Sequence, residues 1–207
     1  MNHAILHHAT ESLVKAINEA SDDVCSSANA EAAADVIKTC AVGAAVAGVG
    51  SGWLPGAGAL VATAAWVATI WTMYALINKK LGISIKDNVL KSLASAILTN
   101  ILSAAGAYML AMLLGGLLSF IPGIGTAASV AVDAMLGYIT VFVSGILYLN
   151  LLTMMYEKNG KVDLEGVDLK DLAKSVTESA DVKSMIDEAK ASFKEDKKSG
   201  KLKKGSK

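Results

Sequence analysis

Apolar residues recur through residues 1–38 at helical spacing. Ile5, Ala9, Leu13, Ile17, Ala20 and Val24 form the set, with Glu11, Lys15, Glu19 and Asp22 between them. A helix completes a turn every 3.6 residues, so this spacing gathers the apolar set on one face. The pattern predicts one or two amphipathic helices. Ser21-Asp22-Asp23 offers a cap for the second, which carries Ala32, Val36 and Ile37.

The alternation then stops. Residues 39–78 carry no charge, and residues 92–156 carry only Asp133. Near the middle of each run the same kind of motif appears: Trp53-Leu54-Pro55-Gly56-Ala57-Gly58, then Phe120-Ile121-Pro122-Gly123-Ile124-Gly125. The chain has 2 prolines, and both sit here. Proline ends the incoming helix and the glycines let the backbone reverse. The expected fold is all-α: two apolar helical hairpins around PGxG turns, with amphipathic N- and C-terminal helices. The turn residues are Pro55, Gly56 and Gly58 in the first hairpin and Pro122, Gly123 and Gly125 in the second.

The four arms cover about 39–52, 57–78, 88–119 and 124–156. The first is Ala, Gly and Val, short for a bilayer of ~30 Å at ~1.5 Å per residue, and extends backwards into 31–38. Its glycines, Gly43, Gly48, Gly50 and Gly52, suit close packing; Gly115 and Gly116 read the same way. Trp66, Trp71 and Tyr74 lie near the far end of the second arm, placed either for an interface belt or for a core. Between the hairpins, Gly82 ends a helix with Lys79 and Lys80 in its last turn, and Ser84 or Asp87 caps the next. Past Tyr156 the sequence predicts a polar linker over 157–167. One amphipathic helix follows over 168–193, with Leu169, Leu172, Val176, Met185, Ile186, Ala189 and Phe193 on one face. A Lys-rich tail over 194–207 is expected to lack structure. The chain therefore divides into an amphipathic segment (1–38), a double-hairpin membrane domain (39–156), and a linker, helix and tail (157–207).

Composition supports a membrane class. Hydrophobic residues make up 53% of the 207 residues and charged residues 18%, and mean hydropathy is +0.46. Formal net charge is zero, and every basic residue is Lys, which disfavours nucleic acid as a partner. Cys25 and Cys40 form no CxxC pair and read as free thiols. Residues 1–8 lack a basic stretch followed by an apolar run, so a membrane location rests on internal segments. Lysines fall in the N-terminal segment, the 79–91 connector and the C-terminal segment, none near the PGxG turns. That is the positive-inside pattern, with both termini cytoplasmic.

Candidate chemistry is sparse. Asp133 is an ionisable group inside an apolar run, which makes it a candidate polar site together with Asn100 and Asn150; a shallow position near water is the alternative. His3 and His7 have i,i+4 spacing, with His8 beside them, but no carboxylate or Cys joins them at a suitable interval. There is no GxxxxGK[ST], GxSxG or HExxH motif. The expectation is a protein that is not an enzyme, with no cofactor and no metal.

The repeated organisation resembles the helical membrane domain of the DUF697 (YcjF-related) family. The matching residues are Leu54-Pro55-Gly56, Leu81-Gly82-Ile83-Ser84 and Ile121-Pro122-Gly123-Ile124-Gly125-Thr126, spanning about residues 53–150. Members of that family are often fused to a GTPase domain or encoded near one. The resemblance implies a bacterial membrane module with a GTPase or another cytoplasmic protein as partner; no GTPase domain is present here. The leading functional reading is a membrane scaffold or partner-recruiting module. The alternative is a pore-forming effector that inserts a Gly-rich hairpin, and a third reading is a soluble bundle that forms a homo-oligomer through its apolar faces.

Overall fold

The computed structural model describes residues 3–20, 25–51, 57–118 and 125–202; along 48–51, 57–63, 110–118 and 125–133 it describes helical backbone without side chains. Among these residues there are seven helices: α1 Ala4–Ala20, α2 Ser27–Ser51, α3 Ala57–Leu81, α4 Asp87–Leu118, α5 Gly125–Asn159, α6 Leu169–Glu178 and α7 Val182–Lys198. The chain is all-α, with two apolar hairpins, α2–α3 and α4–α5, between amphipathic helices. Pro55, Gly56, Pro122, Gly123 and the Ser21-Asp22-Asp23 cap lie outside the described residues. Gly58 and Gly125 fall at the starts of α3 and α5.

Helix α5 is the hub and packs against each of the other six helices. Every residue from 136 to 149 is buried. α1 runs beside it in the same direction, from His3 near Phe142 to Ala20 near Gly160. α2 runs the opposite way. Ile37 meets Gly145, and Ala44 meets Gly137. α3 again runs parallel to α5, pairing Trp66 with Gly137, Tyr74 with Ser144 and Asn78 with Tyr148.

Helix ends follow local chemistry. Gly82 has φ +69°, and the Ile83 N–H reaches the Asn78 carbonyl at 2.9 Å, a Schellman stop for α3. α4 opens at Asp87, which lies in its first turn; the Leu90 N–H reaches the Lys86 carbonyl at 3.1 Å, so Lys86 takes the cap position expected of Ser84 or Asp87. α2 starts at Ser27, where Asn29 Oδ1 accepts from Ser26 N at 3.1 Å and from Ser26 Oγ at 2.6 Å.

Two expectations for the C-terminal part are corrected. The single helix expected over 168–193 is two. α6 ends at Glu178, and the Asp181 carboxylate accepts from Ser184 N (3.1 Å) and Ser184 Oγ (2.7 Å) to start α7. Two cap-forming residues, Ser179 and Asp181, break the run where apolar spacing alone reads through. Residues 194–202, expected to belong to a tail without structure, are ordered. α7 continues to Lys198 and closes with a second Schellman motif, in which Lys201 N–H meets Asp196 O at 3.0 Å behind Gly200 at φ +79°.

Two helical segments are long and apolar enough to cross a membrane, Asp87–Met109 and Ala134–Asn159. Their surroundings differ sharply: 39% of the first span's window is buried inside the protein, but 89% of the second's. The second is a core helix along that stretch.

Candidate functional site

The polar groups that the fold brings together lie where α7 crosses the hairpins. α7 buries Val182, Met185, Ile186, Ala189, Ser192, Phe193 and Asp196 on one face. Phe193 stands edge-on to Tyr138 of α5, with ring centroids 5.5 Å apart. The Tyr138 hydroxyl donates to Asp196 Oδ2 at 2.7 Å and lies 3.0 Å from Ser192 Oγ. Asp196 Oδ1 meets Lys201 Nζ at 3.0 Å. The Asp196 side chain is 10% exposed, and each of its carboxylate oxygens has a partner, which is what a buried charge requires.

The same helix reaches two further elements. Glu188 accepts the N–H groups of Ile5 (2.8 Å) and Leu6 (3.0 Å), capping α1 with a negative charge at its positive end. Asp187 accepts from the Tyr108 hydroxyl of α4 at 3.0 Å, and Lys183 Nζ sits 5.8 Å from that ring. α7 thus straps α4, α5 and the start of α1 together. His3 Nδ1 is 3.4 Å from Ser192 Oγ at the edge of this cluster. Partial burial and then Lys38 hold its pKa below 6.5, against Glu188, Glu195 and Asp196. Ser192 is buried. The arrangement fastens helices and gives Ser192 no open side for a substrate.

A second polar layer lies between α3 and α5. Tyr74 and Tyr148 stack with centroids 3.9 Å apart. The Tyr74 hydroxyl meets Ser144 Oγ at 2.6 Å, and the Tyr148 hydroxyl donates to Asn78 Oδ1 at 2.7 Å. Asn78 Nδ2, Thr140 Oγ1 and Trp71 Nε1 are buried with no partner among the described residues. Trp71 lies under Lys91, 4.2 Å from Nζ to the ring centroid. Tyr74 is buried in the core, while Trp66 and Trp71 are half-buried at its edge.

The residues singled out from the sequence are scattered. Asn100 lines an open groove of about 940 Å³ between α4 and α6, beside Lys91, Asp168, Lys170 and Asp171, so its surroundings are polar. Asn150 is half-buried on α5. Asp133 lies on α5, five residues before Tyr138; its side chain is outside the described residues. His7 pairs with Glu11 at 3.3 Å in solvent and lines the same open groove as His3, while His8 is exposed outside it. Among the described residues no group of three or more His, Cys, Asp or Glu side chains is placed to hold a metal. Cys25 and Cys40 are free, and burial raises both thiol pKa values. Gly43 corrects the close-packing expectation, because a Cβ there would meet nothing within 4 Å. The close approach belongs to Gly137 and Gly145 on α5, the first facing Ala44 of α2 and Trp66 of α3 and the second facing Ile37 of α2. Gly48, Gly50, Gly52, Gly115 and Gly116 lie where side-chain surroundings are not described.

A third feature is an open groove of about 910 Å³ between α1 and α2, edged by Glu11, Lys15, Glu19, Glu31, Asp35 and Lys38. No family model, curated protein or solved structure matches the chain.

Proposed function

We propose that the protein is a non-enzymatic, membrane-associated helical module. Its two hairpins dip into a bilayer from the cytoplasmic side, and α1, α6 and α7 stay in water as a scaffold surface. The observation that carries this reading is the unequal cover along the hairpins. From residue 136 to 149, α5 is buried by its own chain, including amphipathic helices with charged outer faces. Charged faces in hydrocarbon are costly, so this half favours water. On the turn side of α7 all four hairpin helices continue through sequence that carries one charge, Asp133.

Length favours a dip over a crossing. Beyond Tyr108, α4 has ten residues to Leu118, or ~15 Å of helix, about half of a ~30 Å hydrocarbon core. Asp133, close to the level of α7, then falls at the water boundary. Lysine placement supports cytoplasmic termini and a cytoplasmic 79–91 connector. The bilayer is the first partner in this reading, and the DUF697 resemblance adds a GTPase or another cytoplasmic protein as the second.

Fractionation tests it. The full chain expressed in a bacterial cell should stay with membranes through a carbonate wash. A protein recovered as a soluble monomer overturns the proposal.

A further inference from the structure

The charges of α7 are sorted by side. At 3.6 residues per turn, Lys183, Lys190, Lys194, Lys197 and Lys198 fall within an arc of about 100° on one flank of its buried face. Glu188 and Glu195 fall on the other flank. Asp187 falls inside the lysine arc and Glu195 beside it, both lining one shallow groove with Lys190, Lys194 and Lys198, so the flank carries five lysines against one carboxylate. Asp187 holds the Tyr108 hydroxyl, Glu188 caps α1, and Asp196 holds Tyr138 and Lys201. Lys190, Lys194, Lys197 and Lys198 take part in no ion pair among the described residues.

The direction of the two flanks follows from α1. Glu188 sits over the first turn of α1, and α1 runs from there towards Gly160, away from the hairpin turns. The Glu flank therefore faces the base of the bundle. The Lys flank faces the side on which α4 and α5 run on towards Leu118 and Gly125. An unpaired lysine row turned to the same side as apolar hairpin ends matches one occupant by charge, a negatively charged lipid surface.

We infer that α7 binds anionic phospholipid headgroups through Lys190, Lys194, Lys197 and Lys198, setting the depth to which the hairpins enter. This rests on the membrane reading above. The helix lies along the water boundary, its apolar face on Tyr138 and its lysines among the headgroups.

The test uses the full chain and two kinds of vesicle, phosphatidylcholine alone and phosphatidylcholine with phosphatidylglycerol. One variant carries Lys190→Gln, Lys194→Gln, Lys197→Gln and Lys198→Gln. A charge-matched control carries Lys79→Gln, Lys80→Gln, Lys86→Gln and Lys158→Gln at the other end of the bundle. Each lysine near an anionic surface contributes about fivefold in partitioning. The first variant should lose about six-hundredfold on anionic vesicles, while the control stays close to the unsubstituted protein. Unchanged far-UV circular dichroism and melting would show that both variants fold. Added salt should remove the advantage of anionic vesicles. Equal losses in the two variants, or equal binding of the unsubstituted protein to both vesicles, would overturn the inference and leave hairpin insertion standing. Binding to neither vesicle would overturn both.

Discussion

Replacing Gly145 by Ala probes how closely α2 lies on the hub. An added Cβ would sit 2.7 Å from Ile37 Cγ1 and 2.9 Å from both Cδ1 and Cγ2. Carbon atoms rest at about 3.5–4.0 Å, so the helices must part by roughly 1 Å or Ile37 must turn away. Ile37 is fully buried and β-branched, with one strongly preferred rotamer in a helix, so turning away is hindered. Overpacking of this kind costs about 1–3 kcal/mol. Replacing Gly by Ala in a helix gains about 1 kcal/mol in propensity. The expected net effect is a loss of up to about 2 kcal/mol.

Gly43→Ala supplies the control. It is the same chemical change in a helix of the same bundle, at an exposed site with nothing within 4 Å of the new methyl. It should stabilise by up to about 1 kcal/mol. Urea unfolding of the purified protein, followed by far-UV circular dichroism, would read both. Gly145→Ala in an Ile37→Ala background should cost less than in the parent, because the opposing side chain is gone. If Gly145→Ala stabilises as much as Gly43→Ala, α2 does not rest on α5 at this distance and the hub is misdescribed.

Two further outcomes follow from the polar layers. Tyr148→Phe removes the only hydrogen bond described for the Asn78 side chain and leaves both ends of a buried amide unpaired, at a cost of about 1–3 kcal/mol. The same change in an Asn78→Leu background should be nearly neutral in unfolding measurements. His3 titrates below 6.5 in the fold, so the unfolded chain binds its proton first as pH falls. The His3 contribution is constant above 6.5 and is lost as pH drops from 6.5 towards the lower folded value. Melting temperature measured across that window should fall less in His3→Gln than in the unsubstituted protein, and equal slopes would remove the role given to His3.

The sequence carried the arms of the hairpins well, because charge gaps, Gly82 and Asp87 mark helix ends by local chemistry. The hub role of α5 was hidden. Residues 136–149 show an uncharged, mostly apolar run, which reads alike whether lipid or six helices surround it. The α6–α7 break was visible only as Ser179 and Asp181, both ordinary surface residues until their caps are seen. The strap was hidden for another reason. Tyr138 lies more than fifty residues from Ser192 and Asp196, and nothing local ties it to them. Gly145 shows the same limit, since it sits in no motif and its need for a small residue comes from Ile37 on another helix.

The central claim is that the hairpin turns enter the bilayer while the bundle around α5 stays in water. The three tryptophans are placed to test it: Trp53 in the first turn motif, Trp66 near Gly137 and Trp71 beside Lys91. Two single-tryptophan variants, one keeping Trp53 and one keeping Trp71, would be bound to vesicles of lipid brominated along the acyl chain. Bromine quenches only fluorophores that it meets. The account predicts strong quenching of Trp53 and little of Trp71. Equal quenching of both, or quenching of Trp71 alone, would contradict it.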